Sequence, residues 1–479
     1  MPRALIALAL LPLVAAAAFA SSATGGGPLK TAVVEPWDFA NLSPAQENLV
    51  LERIHGSGAT LMRTTLSWYA IAPKDPPPDF DPENPSDPAY DWERADAKIE
   101  AALAHGLEPY LAVNDAPVWA RTGQKGAGAP PNPSDFGKFM RAAAERYSGQ
   151  YQGLPRIRYW QVWIEPNVNK FFKPQYANGK PVSPAKYAAL VNAAAVAVHG
   201  VHADNKVIAG GLSPFTVTFG ETNTIGPMKF MREMLCMTTK NRPRPSCSRR
   251  VHFDIWSHHP FTTGGPYHHA RRADDVSLGD LPEMKALLVA SYKAHHALSS
   301  TMPGFWVTEF SWDTNPPDPL AVPIKLQSRW TAEAMYVMWK VGITLVTWLD
   351  LRDNPYPSQP TQSGLYWRGA TLAQDKPKPT LTAFRFPFVA YRQKHGILVW
   401  GRTPWGKPGR VAIYQNSVGR WKQIAALPTN GYGIFSRRIT GAKSGYLRAQ
   451  LVTGGKATGP RSLAFSLKRP ADRLIRPFG

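Results

Sequence analysis

Eight short runs rich in β-branched and aromatic residues, separated by longer amphipathic stretches, constrain this chain more than any other feature. The runs are TAVVEP (31–36), TLMRTTLSW (60–68), EPYLAVN (108–114), IRYWQVWIEPN (157–167), KVIAGGLSP (206–214), VHFDIWSHHPF (251–261), GFWVTEFSW (304–312) and ITLVTWLDL (343–351). Between them lie stretches such as WERADAKIEAALAHG and PAKYAALVNAAAVAVHG, with apolar residues at helical spacing and glycine at the end. Alternation of β and α over roughly 350 residues predicts a parallel sheet, and eight strands are what a closed (β/α)8 TIM barrel needs.

The helical pattern stops at Tyr391. Runs such as GILVWGRTP, GRVAIYQNS and GYLRAQLV then alternate with Gly-rich turns, which predicts a small antiparallel β-sandwich. The expected organisation is a barrel over 21–391 followed by an accessory sandwich over 392–479. Residues 1–20, with Arg3, an apolar run to Phe19 and the exit Ala18-Phe19-Ala20, read as a secretory signal peptide cleaved near Ala20. The mature protein is therefore expected to be secreted and extracellular. No later run approaches the ~20 apolar residues of a membrane span.

Export gives the two cysteines a meaning: Cys236 and Cys247 are expected to pair. The net charge of +21 is concentrated in the tail. From Tyr391 onward there are 17 Lys or Arg against the single acid Asp472, so 17 − 1 = +16 sits there and 21 − 16 = +5 on the remainder. Such a tail suits anionic cell-wall polymers, and a solvated basic face explains it equally. Export argues against nucleic acid.

The chemistry centres on Glu165 in YWQVWIEPN. A carboxylate in a buried-strand pattern is costly unless it is paired or used, and Glu165 sits at the strand's C-terminal end, where barrel active sites form. Glu309, in FWVTEFSW, repeats the feature on the seventh run. Two carboxylates facing across a barrel mouth suit glycoside hydrolysis, one protonating the departing oxygen while the other attacks the anomeric carbon. Aromatic residues on the expected loops (Trp68, Tyr69, Trp119, Phe171, Phe172, Tyr176, Trp312, Tyr356) would form a rim for the apolar faces of sugar rings.

WIEPN resembles the WNEPN acid/base motif of clan A glycoside hydrolases, most closely family 39 and its relatives, and WVTEFSW resembles their nucleophile strand. The resemblance covers the barrel and not the tail. It implies Glu165 as general acid/base and Glu309 as nucleophile in a retaining mechanism on a carbohydrate substrate. It further implies Arg63 holding the nucleophile ionised, His259 in the cleft and Trp348 flooring the sugar. Two positions depart from the family: Ile164 stands where an asparagine usually binds the sugar 2-hydroxyl, and Phe261 where a tyrosine steadies the nucleophile. For the first, either another donor compensates, with Asn167 and Asn114 the candidates, or the sugar presents no such hydroxyl there, or the catalyst is weakened; for the second, Tyr267 is the candidate substitute.

Neighbouring residues on a strand face opposite ways, so His258 and His259 cannot share one ion. No HExxH spacing accompanies them, and neither a metal nor any other cofactor is expected. No G-x-S-x-G elbow supports a serine hydrolase. Two other readings stand beside the glycosidase: a catalytically silent carbohydrate-binding protein, motivated by Ile164 and Phe261, and a transglycosylase.

Overall fold

A computed structural model of the chain describes residues 27–475 apart from 124, 125, 127, 220, 221, 240, 241, 418, 471 and 472. The leader expected at 1–20 lies outside the described residues. Eight strands close into a parallel barrel: β1 (Lys30–Val34), β2 (Leu61–Ser67), β3 (Glu108–Asn114), β4 (Tyr159–Val162), β5 (Lys206–Leu212), β6 (Ile255–His258), β7 (Gly304–Phe310) and β8 (Leu345–Trp348). Each pairs with its neighbour in sequence, and β8 returns to β1 through Lys30↔Leu345 to Val33↔Trp348. Every one of the eight runs supplies one strand, so the (β/α)8 expectation holds.

Strand alternation sorts the side chains into two layers. Ala32, Leu61, Tyr110, Ile208, Ile255, Trp306 and Leu345 fill the barrel interior as one cluster. Val33, Met62, Leu111, Trp160, Val207, Trp256, Val307 and Val346 face the other way, into the larger core beneath the helices. Those helices are α1 (Pro44–Gly56), α2 (Glu93–Ala104), α3 (Pro133–Arg146), α4 (Ser183–Val201), α5 (Pro227–Leu235), α6 (Leu281–Lys293), α7 (Ile324–Val341) and α8 (Pro379–Arg385). Their ends follow local chemistry: Ser43 and Gln46 form a capping box ahead of α1, with Pro44 in its first turn, and α7 stops at Gly342 with φ of 90°. At seven residues, α8 is too short for its periodicity to be read from sequence.

Two bulges break the alternation at the barrel's C-terminal end. Between β7 and β8 the register runs Val307↔Val346 and then Phe310↔Trp348, so Thr308 and Glu309 together oppose Thr347. Between β5 and β6 it runs Ser257↔Gly210 and then His258↔Leu212, leaving Gly211 extra. Gly210 has φ of 96°, and a Cβ there would lie 2.2 Å from the Ser257 carbonyl oxygen, so only glycine fits. Tyr187 of α4 repairs the gap where the β4–β5 ladder ends. Its hydroxyl donates to Val162 O (2.7 Å) and accepts from Gly210 N (2.9 Å).

The tail is a β-sandwich. One sheet holds β9 (Phe388–Gln393), β10 (Gly396–Arg402) and β13 (Ile434–Ile439); the other holds β11 (Arg410–Asn416), β12 (Trp421–Pro428), β14 (Tyr446–Leu451) and β15 (Phe465–Ser466). Within each sheet the pairing is antiparallel. Trp400 packs against Tyr336 and Trp339 of α7, with ring centroids 5.4 and 5.6 Å away, and Trp405 Nε1 donates to His55 O at the end of α1 (2.9 Å). These contacts brace the sandwich against the barrel wall.

Cys236 and Cys247 form a disulfide with Cα atoms 5.2 Å apart, eleven positions apart in sequence. Closing a loop of that size restricts the unfolded chain by about 3 kcal/mol. A Cys236→Ser, Cys247→Ser double variant is therefore expected to lose about that much stability, read as a lower midpoint in urea unfolding.

Candidate active site

The barrel mouth gathers polar groups that the interior below excludes. Glu165 follows β4 on a loop that turns sharply: Trp163 and Glu165 both adopt left-handed backbone, with φ of 64° and 41°. Non-glycine residues in that region cost of order 1–3 kcal/mol each, and hydrogen bonds must hold them there. Trp163 N donates to Val113 O (2.9 Å), and Glu165 N donates to the bulge carbonyl Gly211 O (3.0 Å). His259 N donates to the next carbonyl, Leu212 O (3.0 Å). The β5 bulge thus sets the acid loop and the histidine side by side.

Glu309 faces the same void because of the β7 bulge. In an unbroken strand Trp306 and Thr308 would face inward and Glu309 outward; the extra residue reverses this. Glu309 Oε1 accepts a short hydrogen bond from Arg63 Nη1, which also donates to Thr308 O (3.2 Å). Burial pushes the Glu309 carboxyl up, but His259 and Arg63 together outweigh it and hold the carboxyl below the usual range. His259 Nδ1 lies 2.9 Å from Glu165 Oε1 and 3.5 Å from Glu309 Oε2. One donor or acceptor atom from each of Glu165, His259 and Glu309 lies within 4.8 Å of the other two.

The floor beneath comes from residues that sequence reading passed over. Tyr110 is fully buried, with its hydroxyl 2.8 Å from Thr347 Oγ1 and burial raising its pKa. Gln161 is fully buried on β4 and donates to Trp163 O (3.0 Å), supporting the acid loop from below. Tyr110, level with Tyr159, and Gln161, level with Ile208, offer only their inward parity as a signal. A further carboxylate, Glu35, is occupied structurally: it accepts from Thr65 N and Lys98 Nζ, each at 2.9 Å.

The remaining expected site residues divide. Asn114 ends β3 at the mouth, with Oδ1 buried and unpartnered among the described residues. Asn167 is turned to other work: Oδ1 accepts from Ser213 N (2.9 Å) and Nδ2 donates to Ser213 O and Ile225 O (3.0 Å each). With both Nδ2 hydrogens spent and the side chain fully buried, it clamps two loops and has no donor left for a sugar. Trp348 corrects a second expectation. It lies on the outer face of β8, its ring edge-on to Phe310 and 5.7 Å from Phe384 of α8, so it floors the helix layer rather than the cleft.

Tyr267 is also displaced from its expected place. Its hydroxyl meets that of Tyr391 at 3.0 Å, on the side of the sandwich. Phe261, buried, packs edge-on to His259 and offers no hydroxyl, while Ile164, half-buried between the two strained residues, offers no polar atom. His258 faces away from the cleft, with Nε2 2.9 Å from Val276 O and burial pushing its pKa down to about 3.

Of the aromatic rim, Trp68, Phe172 and Trp312 are core residues. Trp119 is half-buried and donates to Pro73 O (2.9 Å). Tyr69 and Tyr356 are exposed, and so is Trp37, whose Nε1 donates to Asn354 Oδ1 (3.2 Å) across the loops that follow β1 and β8. Glu165, His259 and Glu309 form the single group among the described residues spaced to share a cation. Arg63 on Glu309 works against one, because it already supplies the positive charge.

No family model matches the sequence, and no curated protein matches it. Solved structures do. A family 39 glycoside hydrolase from the gut symbiont Bacteroides cellulosilyticus WH2 superposes with a TM-score of 0.52 at 17% identity, covering 86% of this chain and 80% of that one. A monomeric β-xylosidase from Caulobacter crescentus CB15 gives 0.50 at 15% identity, covering 87% of this chain and 95% of that one. The chain therefore has the fold found in these two (β/α)8 glycosidases.

Proposed function

We propose that this protein is a retaining glycoside hydrolase in which Glu309 is the nucleophile and Glu165 the general acid/base. The observation that carries the reading is the mutual spacing of Glu165, His259 and Glu309, within 4.8 Å, with Arg63 bound to Glu309. Retaining enzymes hold their carboxyl groups about 5–5.5 Å apart, whereas inverting ones leave ~6.5–9.5 Å for a water. The fold likeness to two glycosidases supports the same reading.

In the first step a Glu309 oxygen bonds to the anomeric carbon as the bond to the leaving oxygen breaks, and the Glu165 proton passes to that oxygen. In the second, water attacks the anomeric carbon, Glu165 takes its proton, and the bond to Glu309 breaks. Arg63 keeps the nucleophile ionised, and His259 orients Glu165 through Nδ1. The substrate is an oligo- or polysaccharide met outside the cell, a setting supported by the leader-like start and the disulfide. Glu165→Ala should lose turnover of unactivated glycosides but regain it on activated aryl glycosides with azide, giving a glycosyl azide of the substrate's configuration. Absence of rescue would remove Glu165 from the acid/base role.

The pH profile follows from Glu309. A carboxyl whose pKa is depressed in the folded protein stays ionised down to that lowered value, and activity is lost as pH falls through it. The acid limb of kcat/KM should therefore lie below about 4.3, the ordinary glutamate value. A limb at or above that value would contradict the assigned roles of Arg63 and His259.

Ile164 and Phe261 favour a second reading, a carbohydrate-binding protein without turnover, since each removes a polar contact from the cleft. Sugar binding that survives both Glu165→Gln and Glu309→Gln, with no turnover by the parent on a panel of aryl β-glycosides and polysaccharides, would support it. Transfer to added acceptors in place of hydrolysis would instead identify a transglycosylase.

A further inference from the structure

A cavity of about 790 Å³ opens where the loop after β6 meets the sandwich, and none of Arg63, Glu165, His259 or Glu309 lines it. Three parts of the chain supply cations to it: Arg329 from α7, Arg392 from β9, and Lys468 and Arg469 from the segment after β15. Arg329 is already committed, bonded to Glu333 (3.1 Å) and donating to Ser466 O (2.8 Å). Arg392, Lys468 and Arg469 are exposed and make no ion pair among the described residues. Among the described residues Glu333 is the only acid lining the cavity; burial raises its pKa against the pull of Arg329 and Arg469.

Tyr267 adds a flat apolar surface. It is 43% exposed, the Arg469 guanidinium stands 5.7 Å from its ring centroid, and Tyr391 anchors its hydroxyl. An aromatic plane accepts the C–H face of a sugar, and guanidinium groups fit carboxylates with two parallel hydrogen bonds. The volume lies within the range of small-ligand sites, which favour crevices between domains. A nucleic acid duplex would need an extended basic strip rather than an enclosed cleft.

We propose that this interdomain cleft is an accessory site for a uronate-bearing oligosaccharide, distinct from the Glu165–Glu309 cleft. The choice of a sugar rests on the proposed function; the anion preference does not. The test uses full-length Glu309→Gln protein, so that turnover neither consumes the probe nor enters the readout. Calorimetric titration with a galacturonate tetramer should give saturable binding, and a neutral xylose tetramer should give none at this site. Replacing Arg392, Lys468 and Arg469 together by Ala should weaken binding by about 30-fold or more, and Tyr267→Ala by about 5-fold. An Arg437→Ala, Arg438→Ala double variant on β13 should leave it within about twofold, since those cations lie outside the cavity. Equal losses in both sets would reduce the effect to net charge, and an unaffected triple variant would remove the site. Displacement of the uronide by a short DNA duplex at equal charge concentration would overturn the sugar assignment in favour of nucleic acid.

Discussion

Glu309→Gln is expected to lower kcat by about 10⁵-fold on an activated aryl glycoside, equivalent to ~7 kcal/mol of transition-state stabilisation. Glutamine keeps the shape of the side chain but cannot form a stable bond to the anomeric carbon, so the covalent intermediate is lost. The substitution also leaves Arg63 facing a neutral amide, and unfolding must be measured beside turnover to separate the two effects. A Glu309→Gly variant gives an independent check. Azide entering from the vacated side should produce a glycosyl azide of inverted configuration, the opposite of the product from Glu165→Ala. Turnover within about tenfold of the parent for Glu309→Gln would displace Glu309 from the nucleophile role.

Arg63→Met is expected to cost about 3–5 kcal/mol in stability, because it strands a buried carboxylate rather than removing a pair. Arg63 is 3% exposed and bridges β2 to β7 through Glu309 and Thr308 O, so no solvent is at hand to take over. The functional effect has a definite sign. Without the guanidinium the Glu309 carboxyl rises, the ionised nucleophile is lost at a higher pH than in the parent, and the acid limb of kcat/KM moves upward. Arg63→Lys retains the charge without the planar fork and should show a smaller shift of the same sign. A variant with lowered stability but an unmoved acid limb would reduce Arg63 to a structural brace.

Much of the barrel was legible because each strand carries its own signal: a short apolar run ending in polar residues where the chain leaves the sheet. EPYLAVN became β3 without adjustment, whereas IRYWQVWIEPN yielded only Tyr159–Val162. The loss at its end is physical, since Trp163 and Glu165 turn left-handed to swing the carboxylate over the mouth. Glu165 and Glu309 were findable as carboxylates in apolar surroundings. The way Glu309 reaches the cleft was not, because a bulge reverses the parity of β7 and no residue type marks it. Trp348 differs from expectation for a related reason: its aromatic character suggests a sugar floor, while alternation after Leu345 and Thr347 sends it to α8. Asn167 and Tyr267 lie away from their expected contacts because hydrogen-bond partners distant in sequence, at Ser213, Ile225 and Tyr391, decide what a polar side chain is free to do. Tyr110, Gln161 and Tyr187 carried no local signal beyond their positions.

The most direct test of the two-carboxylate arrangement is the configuration of the first-formed product, followed by proton NMR during the opening minutes of hydrolysis, before mutarotation. Release of the same anomer as the substrate is the predicted result. Initial release of the opposite anomer would mean that water, and not Glu309, attacks the sugar, and would contradict the account.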